Sequence, residues 1–415
     1  MHPLFFGSNQ VSFLPTKLAN LALWYDANQE TASDGSNVLP QDRSGNGRHG
    51  VQATSGNRPV LKHGIVNGKK IYRFNGTSTA FTLAASLSLS TYSLFVVCKQ
   101  SSNGFKVIAG AGGSSYLTTD TTNKIWKAQS TSGASSWSSI PTSSVWQNLG
   151  IVRAGTTVGG YVSGESMPLV SSDAASGGTQ DFAAWGGFGG FIWGGDVAEI
   201  IIYSSALSAQ DRRTVATYLD SKYNTRPQKL VICHGNSLTA GTGGQTDFPA
   251  QLRTLLGDDS YAVFNLGVGG KETPTMTSEA PTLVDPNYSA RRPANIVIGW
   301  EITNHVGSTP ASPSGTAEPH YSAIRDYALA RKAVGFRALI GTYIARTARD
   351  ETQRLLINST INANFSGLGL EVLDFAAIPE FDAIGDVTNT TWYLDGTHLT
   401  TAGYAKIAAL CQAQI

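Results

Sequence analysis

Lys229-Leu230-Val231-Ile232-Cys233-His234-Gly235-Asn236-Ser237-Leu238-Thr239 decides the fold. Leu230 to Cys233 form an apolar run within a stretch of strand length, and after His234 comes a Gly-Asn-Ser turn. A continuously apolar strand is buried on both faces, which is the habit of a parallel sheet. Downstream the pattern recurs. Strands are expected over Tyr261 to Asn265, Asn295 to Gly299, Ala338 to Thr342 and Glu371 to Phe375. Helical periods fall between them, over Phe248 to Leu256, Tyr321 to Val334 and Thr352 to Phe365, and Leu399 to Gln412 closes the chain. Repeated β-α alternation predicts a five-stranded parallel sheet covered by helices on both faces, with ligands at the C-terminal ends of the strands.

Upstream the texture differs. Short β-branched and aromatic runs (Tyr92 to Val97, Trp146 to Val152, Val197 to Tyr203) alternate with Gly/Ser/Thr/Asn clusters. Many short strands with polar turns predict an antiparallel sandwich. Ser208 with Asp211 three residues on reads as a helix start, and Val215, Tyr218 and Leu219 give that helix an apolar face. Thr225-Arg226-Pro227-Gln228 reads as a linker, because Pro227 disfavours helix before it. The expected division is an N-terminal extension at 1–17, a sandwich at 18–224, the linker at 225–228 and an α/β domain at 229–415.

The 415 residues exceed what one compact core usually holds. Thirty Lys and Arg against 29 Asp and Glu leave no bulk charge to draw nucleic acid or an anionic membrane. Charged residues make up 14%, against about 25% in an average soluble protein. Cys98, Cys233 and Cys411 are far apart, show no metal spacing, and read as small core residues. Met1-His2-Pro3-Leu4-Phe5-Phe6 lacks the basic start of a secretory signal, and no apolar run is long enough to span a membrane. The expected address is extracellular or virion-associated. His234, His305 and His320 lack the spacing of a zinc centre, so no metal is expected there.

Four motifs stand at predicted strand ends. In His234-Gly235-Asn236-Ser237-Leu238-Thr239, a serine on a glycine turn is exposed for nucleophilic attack, although such a turn is often only a turn. In Asn265-Leu266-Gly267-Val268-Gly269-Gly270, glycines let backbone amides approach a substrate oxygen, or simply make a tight turn. In Gly299-Trp300-Glu301-Ile302-Thr303-Asn304, the asparagine can donate to an oxyanion or cap a helix. In Asp395-Gly396-Thr397-His398, three residues of separation bring an acid and a base to one side of a turn. Nucleophile, oxyanion donors and acid–base pair together make an acyl-transfer constellation.

On these motifs the second half resembles the SGNH (GDSL-like) hydrolase family over residues 229 to 415. The resemblance implies a flavodoxin-like three-layer fold, with Ser237 as nucleophile and Asp395 and His398 completing the triad. It implies an oxyanion hole from the Ser237 and Gly270 N–H groups and the Asn304 side chain, with Gly269 as the less favoured glycine. No cofactor or metal is implied. Asn236 stands where the family usually has Asp, and His305 stands where it usually has Asp after the asparagine. The first half resembles the laminin G-like/concanavalin A-like superfamily over residues 18 to 224. This likeness rests on Ala22 to Ala27, Asp42 to Gly50 and Gly195 to Tyr203, and it implies a jelly-roll sandwich and often a glycan-binding or interaction role. Trp126, Trp137, Trp185 and Trp193 are candidates for sugar stacking, although a core role is the commoner fate of tryptophan. Asp26, Asp34 and Asp42 match no calcium-loop spacing.

The expected activity is hydrolysis of short acyl, above all acetyl, esters on a carbohydrate. A general short-chain esterase or lipase is one alternative. A glycan-binding phage tail or structural protein with weak or lost hydrolysis is another. Loops at 241–245, 272–288 and 307–319 are expected to wall the pocket as irregular segments, with Arg346 a candidate for touching substrate.

Overall fold

The computed structural model describes residues 13–101, 104–111, 115–120, 125–130, 133–137, 145–172, 178–187, 190–257, 260–308, 316–347 and 349–415. The chain divides into two compact units, Met1–Pro227 and Gln228–Ile415.

Gly194–Tyr203 is the axis of the first unit, and all of its residues are buried. Its Val, Ile and Tyr side chains suit a pleated, packed surface. One edge pairs antiparallel with Tyr92–Gln100 along its length. The other edge is shared: Gly194 to Val197 pair with Lys69–Asn75, and Glu199 to Tyr203 pair with Leu21–Asp26. Gln147–Ala154 and Thr157–Val162 extend the sheet on one side, and Val60–Val66 extends it on the other. A second antiparallel sheet includes Phe81–Leu83, Phe105–Gly110, Tyr116–Asp120, Ile125–Ser130 and Gly133–Trp137. Leu94, Val96, Ile200 and Ile202 of the first sheet share one buried cluster with Ile108, Leu117 and Trp126 of the second. Trp126, Trp185 and Trp193 fill this core and present no ring to a sugar. The side chain of Trp137 lies outside the described residues.

The other face of the first sheet is partly covered by the helix Ala209–Tyr223. Phe95, Val97, Ile201 and Tyr203 pack there against Val215 and Leu219. The helix starts where the Asp211 N–H donates to Ser208 Oγ at 3.1 Å, and it ends at Asn224 in the left-handed region. Beneath it Glu199 is fully buried. Glu199 accepts from Trp24 Nε1 (2.8 Å), Tyr218 OH (2.9 Å), Tyr223 OH (2.8 Å) and Lys222 Nζ (2.7 Å), and Lys222 also reaches Asp26 Oδ2 at 2.7 Å. A buried carboxylate persists only with such a full set of partners. Lys222→Met leaves two buried carboxylates without their cation. The expected loss is about 3–5 kcal/mol, read as a lower denaturant midpoint of the first unit. Asp42 accepts the N–H groups of Trp24, Ser44 and Arg48, and Asp34 accepts that of His63. Among the described residues no group of three or more His, Cys, Asp or Glu gathers as a metal site.

The second unit is a five-stranded parallel sheet with helices. Its strands are β1 (Lys229–Gly235), β2 (Tyr261–Gly267), β3 (Asn295–Trp300), β4 (Arg337–Gly341) and β5 (Glu371–Leu373), in the order β2-β1-β3-β4-β5. The alternating faces of β1 explain the layering. Val231 and Cys233 pack with Phe248 and Leu252 of α2 (Phe248–Leu256) and with Tyr404 and Ile407 of the last helix, Thr401–Gln414. Leu230 and Ile232 pack on the opposite face with Met276, Ile324, Tyr327 and Ile357. Cys98, Cys233 and Cys411 are all buried free thiols, and burial raises the pKa of each. No helix among the described residues is long and apolar enough to cross a membrane.

One expectation is corrected. The segment 272–288 is not irregular: Thr273–Leu283 is a helix, α3, followed by a short 3-10 turn at Asp285–Asn287. Pro274 sits in its first turn, where no N–H is needed, so its presence is no argument against helix. Pro281 lies inside the helix, and Met276 and Ala280 are buried along it. Tertiary packing overrides the Pro and Thr content here. Part of the expected loop at 307–319 lies outside the described residues.

Candidate active site

In the order β2-β1-β3 the chain reverses direction beside β1, and in such sheets ligands sit outside the carboxyl ends of the strands at that reversal. The register brings Gly235, Gly267 and Trp300 level there. Two glycines permit the close approach. A Cβ on Gly235 would lie 2.3 Å from Thr239 Oγ1 and from the Trp300 carbonyl, and one on Gly267 would lie 2.2 Å from the Ala240 nitrogen.

Ser237 opens the short helix α1 (Ser237–Ala240) directly after β1. Asn236 caps it, its Oδ1 accepting the Leu238 N–H at 2.8 Å. The amide thus does locally what a carboxylate would do at this position. Ser237 is half-buried, with its Oγ 2.9 Å from His398 Nε2. His398 Nδ1 lies 2.8 Å from Asp395 Oδ2. An ionised carboxylate only accepts, so Nδ1 carries the proton and donates, which leaves Nε2 to accept from the serine O–H. Asp395 Oδ1 accepts two backbone N–H groups, from His398 at 2.7 Å and Thr397 at 3.0 Å. Partial burial pushes the Asp395 carboxyl up, but hydrogen bonds from the His398 and Thr397 N–H groups and the imidazole outweigh it and hold the pKa below its ordinary value. The Asp395 side chain is 49% exposed and that of His398 21%, so the acid–base pair sits at an open edge.

Gly270 is in the left-handed region at φ +76°, and a Cβ there would meet nothing within 4 Å. Among the described residues no acceptor in the chain takes the backbone N–H of Ser237 or of Gly270. Asn304 lies in α4 (Thr303–Ser308) just past β3. One of its amide N–H groups donates to the Lys271 carbonyl at 3.0 Å, which ties it to the glycine turn. Its backbone N–H donates to Glu301 Oε1 at 2.7 Å. Glu301 is almost fully buried, and Thr273 Oγ1 donates to its other oxygen. Burial raises the Glu301 carboxyl despite these bonds. Asn304 is therefore positioned by Glu301 and Lys271. His305 instead turns edge-on to His320, ring centroids 4.8 Å apart.

Arg346 follows β4, and its Nη1 donates to Thr303 Oγ1 at 2.8 Å, next to Asn304. It is partly exposed, and Asp395 and Glu301 are close enough to act on its charge. Val268 and Leu394, beside the glycine turn and Asp395, are exposed apolar side chains at 53% and 41%. Ser237, His398 and Asp395 line none of the cavities of about 1020, 630 and 380 Å³.

Sequence reasoning missed a network behind the serine. His234 is buried at the end of β1, with Nδ1 2.9 Å from Tyr327 OH and Nε2 2.7 Å from Glu279 Oε1, and Lys271 Nζ donates to the same carboxylate. Its partners lie 37 to 93 residues away, so no local signal marks it. Burial lowers His234 to about 4, opposed by Glu279 and reinforced by Lys271 and Arg331. Burial also lowers His320 to about 4, with His305 reinforcing and Glu318 opposing. Unfolded histidine takes its proton near pH 6.5. Between there and about pH 4 the unfolded chain binds more protons, so the second unit loses stability as pH falls through this window. For His234 alone the loss is about 2–3 kcal/mol. Guanidinium midpoints at pH 7 and pH 4.5 check it, and His234→Gln should flatten the slope.

No family model matches the chain, and no curated protein matches it. Among solved structures, a member of the lipolytic protein G-D-S-L family from Veillonella parvula is 15% identical, covering 45% of this chain and 97% of that one with a TM-score of 0.36. A lipase/acylhydrolase from Enterococcus faecalis is 17% identical, covering 45% and 95%, also with a TM-score of 0.36. A Trypanosoma rangeli sialidase in complex with sialic acid is 15% identical, covering 50% of this chain and 34% of that chain, again with a TM-score of 0.36.

Proposed function

We propose that the second unit is a serine esterase that removes short acyl groups, acetyl above all, from a carbohydrate. The observation that carries the esterase reading is the unbroken hydrogen-bonded line from Ser237 Oγ through both nitrogens of His398 to Asp395. In this reading His398 Nε2 takes the serine proton as Oγ attacks the ester carbonyl. The negative charge on the carbonyl oxygen is met by the Ser237 and Gly270 N–H groups and the second N–H of the Asn304 amide. The tetrahedral species collapses, the C–O bond to the alcohol breaks, and His398 returns the proton to the leaving oxygen. Water then attacks the acyl-serine by the same route and releases the acid and the free hydroxyl. No step needs a metal or an organic cofactor.

The short-acyl part rests on the surroundings. A long acyl chain needs an extended apolar trough, and among the described residues the exposed large apolar side chains next in sequence to the site residues are Val268 and Leu394. An open-edged site also admits a bulky, polar alcohol such as a glycan. The first unit, read as a lectin-like jelly roll, would hold that glycan and raise its effective concentration. The test is hydrolysis of p-nitrophenyl acetate and octanoate, then of acetylated oligosaccharides, by the whole chain and by residues 225–415. Faster turnover of acetate, with a further gain on acetylated glycans that needs residues 1–224, is the expected result. Equal rates on glycan and aryl acetates would leave a general esterase. Asn304→Ala is expected to lower kcat by about 10²-fold with KM nearly unchanged, because the lost donor acts on the transition state.

A further inference from the structure

The helix Ala209–Tyr223 covers only part of the outer face of the first unit's first sheet. Beyond it the same face turns basic. Lys99, Asp196, Arg73 and Val60 are cross-strand partners on four adjacent strands, so they form one row across the sheet. Asp196 is buried at the centre of that row. It accepts from Arg73 Nε at 2.7 Å and Nη2 at 3.0 Å, a bidentate pair, and Lys99 Nζ lies 3.8 Å from its Oδ2. Lys99 is also held over the Trp146 ring, 5.4 Å from the centroid. Lys62 follows two residues after Val60 on the same strand and Arg58 two residues before it. Arg58 is fixed by its Nε donating to the Gln52 carbonyl at 2.9 Å.

Arg58, Val60, Lys62, Arg73, Lys99 and Asp196 line a cavity of about 630 Å³, in the range of small-molecule sites. Four cations and one carboxylate line it, leaving a formal excess of three positive charges on a chain whose net charge is +1. A concave surface with an excess of one sign focuses its field on an entering anion. Because Asp196 holds Arg73 by one edge of the guanidinium, the arginine is oriented before any ligand arrives. Asn75 and the buried Thr79 add polar side chains to the wall.

We propose that this groove binds an acidic saccharide, a sugar unit or pair of units carrying carboxylate or sulfate. The charge is confined to one pocket rather than drawn out as a stripe, and the lining Phe74 is buried, so no aromatic platform stacks a base as single-stranded nucleic acid would require. The proposal rests on reading the first unit as the glycan-holding half, and it is independent of the ester chemistry.

The test is calorimetric titration of the full chain with four probes: an oligogalacturonate hexamer, a heparin-derived hexasaccharide, maltohexaose and a single-stranded DNA 12-mer. One or both acidic hexasaccharides should bind, and which one does separates carboxylate from sulfate recognition. The affinity should fall at least tenfold in Arg58→Gln/Lys62→Gln, and should weaken as salt rises. Maltohexaose should not bind, and DNA should bind more weakly than the acidic saccharides. Both substituted side chains are partly exposed, and p-nitrophenyl acetate turnover should be unchanged in the double variant, which reports on ester chemistry separately. No binding by either acidic probe, equal affinity in parent and double variant at equal melting temperature, or DNA binding as tightly as the saccharides would overturn the proposal.

Discussion

Ser237→Ala is expected to lower kcat on p-nitrophenyl acetate by about 10⁶-fold, to the residue of catalysis that binding and the oxyanion donors give on their own. The size of the effect follows from what the hydroxyl does. Without Oγ no acyl-enzyme forms, and His398 Nε2, 2.9 Å away, loses the group it deprotonates. The fold has little stake in the hydroxyl. Its hydrogen bond goes to His398, the helix it opens is capped by the Asn236 side chain, and the strand before it is held by β2 and β3. The melting temperature should therefore stay where it is while turnover disappears. Kinetics and thermal unfolding of the same preparation check both halves. Turnover that survives the substitution would remove the serine mechanism, and the esterase reading with it.

Asp395→Asn should be the second largest effect, about 10³–10⁴-fold in kcat. The direction follows from the two backbone N–H groups that point at Oδ1, from Thr397 and His398. They force the asparagine carbonyl oxygen into the Oδ1 position, so its NH₂ replaces Oδ2 and faces His398 Nδ1. An NH₂ there donates and makes Nδ1 the acceptor, and the imidazole proton then moves to Nε2. A protonated Nε2 cannot take the serine proton. The flipped amide is no escape, because it would aim NH₂ at two N–H donors. The 49% exposure of Asp395 lets water soften the loss, which places the expectation at or below the usual figure for a buried triad acid. A pH–rate profile is the discriminating readout. The variant should regain activity at high pH, where hydroxide replaces the missing base, whereas simple unfolding would give no such recovery.

The parallel sheet was legible because its strands are short, continuously apolar runs. Lys229 to Cys233 and Asn295 to Gly299 each fall inside the observed strand. The Asp395–His398 juxtaposition was legible for a related reason: three residues on one turn suffice, and no distant partner enters. The helix at Thr273–Leu283 was not legible. Its prolines and threonines read as irregular, and only burial of Met276 and Ala280 against the sheet layer pays for its formation. His234 was missed as a positioning group because its partners Glu279 and Tyr327 come from elsewhere in the chain. Sequence spacing exposes groups that act within one turn and conceals those that act across layers.

The central strand Gly194–Tyr203 carries a consequence for synthesis on the ribosome. Its partner Leu21–Asp26 is translated well ahead of it, with Leu21 destined to lie opposite Tyr203. At about 5–20 residues per second, the first strand waits on the order of ten to forty seconds for its neighbour. During that interval Tyr92–Gln100, which also needs Gly194–Tyr203, has an uncovered apolar edge. The second unit faces a shorter wait, since its paired strands lie closer together in sequence, as with Leu230 opposite Asn295. Nascent chains stalled before residue 203 are thus the form of this protein most exposed to chaperones, proteases and misassembly.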